Sequence, residues 1–212
     1  MEPEFWHKKW ENREIGFHEG RPNSLLVEHF SALNLADGAR VFLPLCGKTR
    51  DIAWLRSQGC AVAGAELNES AIKELFQELE VEPEVTSRGR MKHYAAPGLD
   101  FFVGNIFHLH SDTLGRVQAV YDRAAMVALP ESTRHEYAAH LVEISGTAPQ
   151  LLITFQYDQS LMDGPPFSIS WQEIEKHYGG RYAIQTLESR PVEGNLKGQV
   201  AATETIRRLK KL

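Results

Sequence analysis

A glycine in a turn and a glutamate about 20 residues later have the spacing that most clearly predicts chemistry in this chain. Gly47 follows the apolar run Val41 to Leu45, and Glu66 follows a second apolar run, Ala61 to Ala65. In a βαβ nucleotide fold, the first βα loop opens over the cofactor, and an acid at the tip of the second strand can bind both ribose hydroxyls. The pair therefore predicts a site for a nucleoside-containing cofactor.

The glycine content of the turn narrows the class of cofactor. A dinucleotide fingerprint carries three glycines so that the backbone can approach a pyrophosphate, whereas this turn carries Gly47 alone. That difference favours a cofactor without phosphates, and S-adenosylmethionine is one. Two alternatives stay open from these residues. One is an ordinary turn with a solvent-facing Glu66, and the other is a nicotinamide-dependent oxidoreductase, because Glu66 would suit a dinucleotide ribose equally well.

Two further charged residues are candidates for the site, and they follow another apolar run. Asp122 and Arg123 follow Val117 to Tyr121. In an open α/β sheet, reacting groups lie beyond the carboxyl ends of the central strands, and this strand is predicted to neighbour the first. Arg123 is therefore predicted to point toward the place where donor and acceptor meet. Asp122 is interpreted as structural support.

The rest of the chain predicts the fold that positions these residues. Apolar strands alternate with amphipathic helices, which predicts a doubly wound α/β fold with a mostly parallel sheet of about seven strands. Tyr182 to Leu187 and Ala202 to Leu209 are predicted to close it as a hairpin with one antiparallel strand. The polar, proline-bounded segment Val81 to Pro97 is interpreted as an insertion or weak hairpin. A length of 212 residues suits one domain spanning the whole chain.

Several motifs resemble those of the thiopurine S-methyltransferase family. The resemblance rests on Pro44-Leu45-Cys46-Gly47-Lys48-Thr49, Gly64-Ala65-Glu66-Leu67, Trp10, Tyr121-Asp122-Arg123-Ala124-Ala125, Tyr157-Asp158 and Gly164-Pro165-Pro166-Phe167. These motifs run in family order over nearly the whole chain, and the Pro-Leu-Cys-Gly-Lys run is quite specific to the family. The resemblance implies a class I, Rossmann-like methyltransferase that uses S-adenosylmethionine and releases S-adenosylhomocysteine.

The resemblance and the fold type together imply the members of the site. The cofactor residues implied are Trp10, Leu45, Gly47, Glu66, Asn105, Ile106 and Arg123. Trp10 lies on a predicted N-terminal helix, about residues 2–14, that covers the cofactor, and an aromatic face suits a sulfonium charge. Asn105 and Ile106 follow the third predicted strand, where such folds commonly meet the adenine. Phe17 and Phe167 are implied as walls for a planar heteroaromatic acceptor.

The activity that the resemblance implies is direct transfer of a methyl group from S-adenosylmethionine to the thiol of a thiopurine or a related heterocyclic thiol. Selenium and tellurium species stay open as further acceptors. Arg123 is expected to position the acceptor, and no general base is assigned. The competing interpretation is a non-catalytic S-adenosylmethionine-binding regulatory module. It draws on the segment Glu188 to Gln199, where the family often has several arginines and this chain has Arg190 and Lys197.

Composition sets the expected partners and location. The net charge of −5 disfavours a nucleic-acid partner, which needs a basic surface. No apolar run approaches the ~20 residues that span a bilayer. The two cysteines, Cys46 and Cys60, indicate reduced thiols and a cytoplasmic protein. The pair His108 and His110 lacks further ligands for zinc, so no metal site is predicted. We expect a monomer that acts on a small-molecule thiol.

Overall fold

The computed structural model describes residues 3–16 and 18–212, and within them one sheet carries helices on both faces. The strands are β1 (Arg40–Pro44), β2 (Ala61–Glu66), β3 (Glu84–Arg88), β4 (Met91–Ala96), β5 (Leu99–Val103), β6 (Ala119–Arg123), β7 (Gln150–Gln156), β8 (Tyr182–Pro191) and β9 (Thr203–Lys211). The α-helices are α1 (Pro3–Glu11), α2 (Ser24–His29), α3 (Asp51–Ser57), α4 (Glu69–Glu78), α5 (Ser111–Leu114), α6 (Glu131–Ile144) and α7 (Trp171–Tyr178). Short 3₁₀ turns occupy Phe30–Leu33, Ile106–His108, Met126–Ala128 and Gln159–Leu161.

The sheet has the order β3-β4-β5-β2-β1-β6-β7-β9-β8. Strands β5, β2, β1, β6 and β7 are parallel to one another, whereas β4 and β9 run against their neighbours. This arrangement confirms the predicted α/β class. The described chain forms nine strands rather than about seven, because the segment interpreted as an insertion or weak hairpin becomes β3 and β4, which pair onto β5.

Buried side chains pack on both faces of the sheet. One face packs against α5, α6 and α7, and the other packs against α2, α3 and α4. The central strand β1 reads Arg-Val-Phe-Leu-Pro and is buried from its second residue onward, as expected for a strand covered on both sides. The predicted N-terminal helix is observed as α1, and it ends before Arg13, which has a φ of 56°.

The chain leaves the centre of the sheet in opposite directions from β1 and β6. From β1 the chain continues to β2 and β5 on one side, and from β6 it continues to β7 on the other. Such a point in an open α/β sheet creates a crevice at the carboxyl ends of the strands. Among the described residues, no helix combines the length and the apolar character that crossing a membrane requires.

Candidate cofactor and acceptor site

The carboxyl ends of four parallel strands bring together the residues predicted for the site. Leu45 follows β1, Glu66 ends β2, Asn105 follows β5 and Arg123 ends β6. Because these strands are parallel and adjacent, the four residues lie at one edge of the sheet. The structure therefore gathers residues that are far apart in the sequence around the crevice between β1 and β6.

Glu66 holds the turn after β1 through its carboxylate. The Gly47 amide donates to its Oε2 at 2.7 Å, and the Asn68 amide donates to its Oε1 at 2.8 Å. Glu66 is 6% exposed. Burial raises its pKa, and hydrogen bonds from the amides of Asn68, Gly47 and Leu67 oppose that rise. Since a carboxylate offers about four acceptor positions, Glu66 can accept ribose hydroxyls as well, which fits the predicted cofactor.

The turn itself has an unusual backbone. Leu45 has a φ of 47° and Gly47 a φ of 53°. A left-handed leucine is uncommon and is often found where a ligand constrains the chain. Between them, Cys46 points into the protein, and a Cβ added at Gly64 would lie 2.8 Å from its Sγ and 2.7 Å from the Phe101 ring. Burial raises the pKa of Cys46 well above its ordinary value, which favours the neutral thiol.

The N-terminal helix α1 lies against the segment that follows β2. Trp10 is 5% exposed. His7 Nδ1 lies 3.3 Å from Asn68 Nδ2, and Arg13, just after the helix, pairs with Glu74 of α4 at 2.8 Å. These contacts place Trp10 on a helix that lies against the segment directly after Glu66.

Asn105 and Ile106 begin the 3₁₀ turn after β5. Asn105 is exposed, and its Oδ1 accepts a hydrogen bond from the Phe107 amide at 3.0 Å. Ile106 is 4% exposed and packs in the core, and its carbonyl lies 2.8 Å from His140 Nε2. The amide of Gly104 donates to the Glu66 carbonyl at 2.8 Å, which ties this turn to the acid. Contact of the two residues with an adenine stays a prediction.

Arg123 lies at the carboxyl end of β6, beside the crevice. Its side chain is 10% exposed and forms an ion pair with Glu19, from the segment between α1 and α2. Burial lowers its pKa, but the nearby Tyr121, Glu19 and Asp51 outweigh that effect and raise it overall. Ala124, the next residue, has a φ of 61°. A left-handed residue thus follows each of the two strands, β1 and β6, that flank the crevice.

Asp122 faces the opposite side of the sheet from Arg123. It is fully buried, and it accepts hydrogen bonds from the Tyr137 hydroxyl at 2.8 Å and the Met126 amide at 3.1 Å. Burial raises its pKa to about 6. These contacts fit its interpretation as a structural support.

Two further segments, the loop after β7 and the connector between β8 and β9, contact each other. In the loop after β7, the Phe167 ring lies 5.8 Å from the Arg134 guanidinium, and the Phe167 amide donates to the Val127 carbonyl. In the β8–β9 connector, Lys197 donates to the Pro165 carbonyl at 2.7 Å. Partial burial and the charge of Lys9 on α1 lower the pKa of Lys197. The loop, the connector and α1 therefore converge. Phe17, the other predicted acceptor wall, lies outside the described residues.

The structure adds charged residues that the sequence analysis did not single out. Asp51 is buried, and it accepts hydrogen bonds from the Asn23 amide at 2.7 Å and the Tyr121 hydroxyl at 3.1 Å. Glu19 and Glu204 both lie near Arg123. A carboxylate on the inward face of a strand is the signal that could have identified Glu204.

One group of side chains in the described part of the chain has metal-binding spacing. The ligand atoms of Glu28, His29 and Glu188 lie within 4.8 Å of one another. His29 pairs with Glu188 at 2.7 Å, and Arg190 lies 3.6 Å from Glu28. The His29–Glu188 hydrogen bond and the Arg190 contact account for the cluster without a metal ion.

Comparison with known proteins gives consistent matches over the chain. The profile of the family described as thiopurine S-methyltransferase (TPMT) matches residues 1–211. A thiopurine S-methyltransferase of Xanthobacter autotrophicus is 56% identical over 97% of this chain and 97% of that protein. One of Teredinibacter turnerae is 52% identical over 99% of this chain and 97% of that protein.

Solved structures share the fold at low sequence identity. A Burkholderia thailandensis 1,6-didemethyltoxoflavin-N1-methyltransferase, solved with 1,6-didemethyltoxoflavin and S-adenosylhomocysteine, has a TM-score of 0.64 at 15% identity and covers 98% of this chain and 86% of that chain. A TehB-like methyltransferase of Corynebacterium glutamicum has a TM-score of 0.58 at 14% identity and covers 99% of this chain and 98% of that chain.

Proposed function

We propose how this chain works from the premise that it belongs to the thiopurine S-methyltransferase family. Membership makes it an S-adenosylmethionine-dependent S-methyltransferase and disfavours the regulatory module and the nicotinamide oxidoreductase. Its acceptors in this proposal are thiopurines and related heterocyclic thiols, with selenium and tellurium species as further candidates. The observation that carries the proposal is the buried Glu66 carboxylate bound to the Gly47 amide at the same sheet edge as Arg123.

The cofactor half of the site surrounds Glu66. In our proposal Glu66 binds the ribose hydroxyls, and Leu45 and Gly47 line the methionine side, where the left-handed backbone brings the turn close to the ligand. Trp10 covers the sulfonium from α1. Asn105 and Ile106 flank the adenine at the end of β5. This assignment draws on α1 and on the carboxyl ends of the parallel strands β1, β2 and β5.

The acceptor half of the site surrounds Arg123. In the structure Glu19 forms an ion pair with the Arg123 guanidinium. We propose that an acceptor thiolate or ring nitrogen replaces Glu19 as the partner of this guanidinium. A guanidinium stabilises a thiolate through a charge-assisted hydrogen bond. Phe167 lines the acceptor pocket, and Phe17 is proposed as a second wall.

Catalysis in this site consists mainly of alignment. S-Adenosylmethionine supplies a methyl group already activated by the sulfonium charge. The protein has to hold the acceptor sulfur in line with that methyl group and exclude water, and such positioning is worth several kcal/mol. Three converging segments serve this purpose in our proposal: α1, the loop 158–170 and the connector 192–202.

The proposed site also bears on the domain organisation, oligomeric state and location of the protein. We propose that residues 1–212 form one catalytic domain, with α1 as the cover of the cofactor site. Since one chain supplies every part of the proposed site, we propose a monomer. The net charge of −5 supports a small-molecule acceptor rather than a nucleic acid. Cys46 and Cys60 are both free thiols, which supports a reducing compartment such as the cytoplasm.

A methyl-transfer assay with 6-mercaptopurine tests the proposed activity. The protein is incubated with isotope-labelled S-adenosylmethionine, and the S-methylated product is measured by mass spectrometry. We expect labelled S-methyl product to accumulate together with S-adenosylhomocysteine. Binding of S-adenosylhomocysteine without methylation of any heterocyclic thiol would contradict the proposed acceptor class.

A further inference from the structure

Glu204 is a partly buried carboxylate on the same side of the sheet as Arg123. The ladder pairs Arg123 with Ile153 and Ile153 with Ile206, and it pairs Phe155 with Glu204 two residues further along. Paired residues point to the same face, as do residues two apart on a strand. Arg123 and Glu204 therefore share a face. Their strands, β6 and β9, flank β7, so about 10 Å separates the two backbones. Both side chains are long, and the charge of Arg123 reaches Glu204 and lowers its pKa.

The surroundings of Glu204 keep its proton affinity high. Its side chain is 14% exposed. Burial raises its pKa and Glu19 raises it further, whereas Arg123, Arg190 and a hydrogen bond from Asn23 lower it. The net effect is a raised pKa, although two cations are nearby. Burial thus outweighs the favourable charges, and the carboxylate can take up a proton more readily than an ordinary glutamate.

Arg190 is shared among several acceptors and so neutralises Glu204 only in part. Its guanidinium lies 3.9 Å from Glu204, and it also hydrogen-bonds Ser24 and lies 3.6 Å from Glu28 and 3.9 Å from Glu188. A dedicated bidentate partner would instead hold the carboxylate in its ionised form. A carboxylate offers about four acceptor positions, so the Asn23 hydrogen bond and the 3.9 Å contact with Arg190 leave Glu204 with acceptor capacity.

Methylation of a heterocyclic thiol requires a group that accepts a proton. Thiopurines and mercaptopyridines exist largely as thioamide tautomers with a proton on a ring nitrogen, and that proton must leave when the sulfur is methylated. Resting on the function proposed above, we propose that Glu204 is a catalytic residue that accepts a hydrogen bond from this ring N–H and takes its proton during methyl transfer. Glu204 thereby selects heterocyclic thioamides over simple thiols.

The step balances in atoms and electrons. The thioamide sulfur attacks the methyl carbon, so the new S–CH₃ bond forms as the bond from that carbon to the donor sulfonium breaks. The N–H electron pair becomes part of the aromatic C=N bond, and the proton passes to the Glu204 carboxylate. The products are a neutral S-methyl heterocycle, neutral S-adenosylhomocysteine and a protonated Glu204, which returns its proton to water.

The test compares Glu204→Gln with wild type on two matched acceptors, 2-mercaptopyridine and thiophenol. The two ligands differ in the ring N–H, and thiophenol ionises on its own near neutral pH. We expect kcat/KM for 2-mercaptopyridine to fall about 10²-fold, the usual contribution of a positioned proton acceptor, and kcat/KM for thiophenol to stay unchanged. In wild type, kcat/KM for 2-mercaptopyridine should decrease as the pH falls through the pKa of Glu204. We call this decrease the acidic limb of the pH profile, and Glu204→Gln should lack it.

Binding supplies a readout that does not depend on turnover. Calorimetry on the S-adenosylhomocysteine complex should show weaker binding of 2-mercaptopyridine, but not of thiophenol, to Glu204→Gln. Glu84→Gln removes an exposed carboxylate on the edge strand β3 and should change neither acceptor. Glu204→Asp keeps a carboxylate, so it should keep the acidic limb at a reduced rate.

Two outcomes would overturn the inference, and they can be told apart. An equal loss for both acceptors with the acidic limb retained would make Glu204 a structural residue and leave the proposed function intact. Failure of the wild-type protein to methylate either acceptor would contradict the proposed function and this inference with it.

Discussion

The backbone amide of Gly47 donates a hydrogen bond of 2.7 Å to the carboxylate of Glu66, 19 residues later in the chain. The bond joins the turn after β1 to the end of β2. It fixes the acid and the glycine turn relative to each other before any ligand binds, and such preorganisation reduces the entropy lost on binding.

Arg123→Ala should reduce methyl transfer far more than cofactor affinity. The guanidinium is proposed to stabilise charge on the acceptor, so we expect kcat/KM to fall by about 10²-fold, as for loss of one preorganised charge-stabilising donor. The dissociation constant of S-adenosylhomocysteine, measured by calorimetry, should change much less. The exposed Arg181→Ala serves as the matched control. Equal losses in turnover and cofactor affinity would move Arg123 to the cofactor half of the site.

Glu19→Gln should improve acceptor binding. Glu19 forms an ion pair with Arg123 in the structure and is 42% exposed, so it competes with an anionic acceptor for the guanidinium. Removing its charge should lower the KM for an acceptor thiolate by about fivefold, which corresponds to ~1 kcal/mol for a partly exposed ion pair. Glu14→Gln removes the charge of another ion-paired glutamate as control. A raised KM in Glu19→Gln would indicate instead that the pair orders the site.

Gly64→Ala should destabilise the protein. The added Cβ would lie 2.7 Å from the Phe101 ring and 2.8 Å from Cys46 Sγ, and overpacking of this kind costs about 1–3 kcal/mol. Urea unfolding measures the change. Gly180→Ala, where a Cβ meets nothing within 4 Å, should be near neutral. If Cys46→Ala does not recover part of the loss in the Gly64→Ala background, the contact with Cys46 Sγ is not its cause.

Asp122 should contribute a pH dependence to stability. Its pKa rises from 3.8 to about 6 on folding, so its burial is best tolerated in the protonated form, below its unfolded pKa. Stability from this group is therefore lost as pH rises through about 6, and the full loss is about 3 kcal/mol. Measured by urea unfolding at about pH 4 and about pH 7, Asp122→Asn should gain stability relative to wild type at the higher pH. A difference between the two proteins that does not vary with pH would contradict this.

The local part of the site could be predicted from the sequence, because one βαβ unit contains it. An apolar run ending at Pro44, a glycine turn and an acid at the end of the next strand specify the position of Glu66 without long-range information. The order of the parallel strands then carries Arg123 to the same edge. The fold class could be predicted as well, because the alternation of strands and helices is also a local pattern in the sequence.

Long-range contacts could not be predicted in this way. Glu19 and Arg123 lie 104 residues apart, and no local pattern indicates that they meet. Strand β3 is mostly exposed, so it has no clear alternation of buried and exposed residues. The pairing of the β3–β4 hairpin with β5 therefore depends on the tertiary structure. In the sequence, Glu204 is one of several charged residues on the last strand. Only the strand registers of the structure show that it lies on the same face of the sheet as Arg123.

The most direct test of the central claim is a calorimetric titration of S-adenosylhomocysteine and its 2′-deoxy analogue into wild type and Glu66→Gln, with exposed Glu84→Gln as control. Hydrogen bonds to a charged group contribute about 1.5–3 kcal/mol, so wild type should bind the 2′-deoxy analogue at least about tenfold more weakly. Glu66→Gln should bind S-adenosylhomocysteine more weakly and discriminate little between the two ligands. A Glu66→Gln protein that binds S-adenosylhomocysteine as tightly as wild type, or that discriminates equally well, would contradict the ribose-binding role of Glu66.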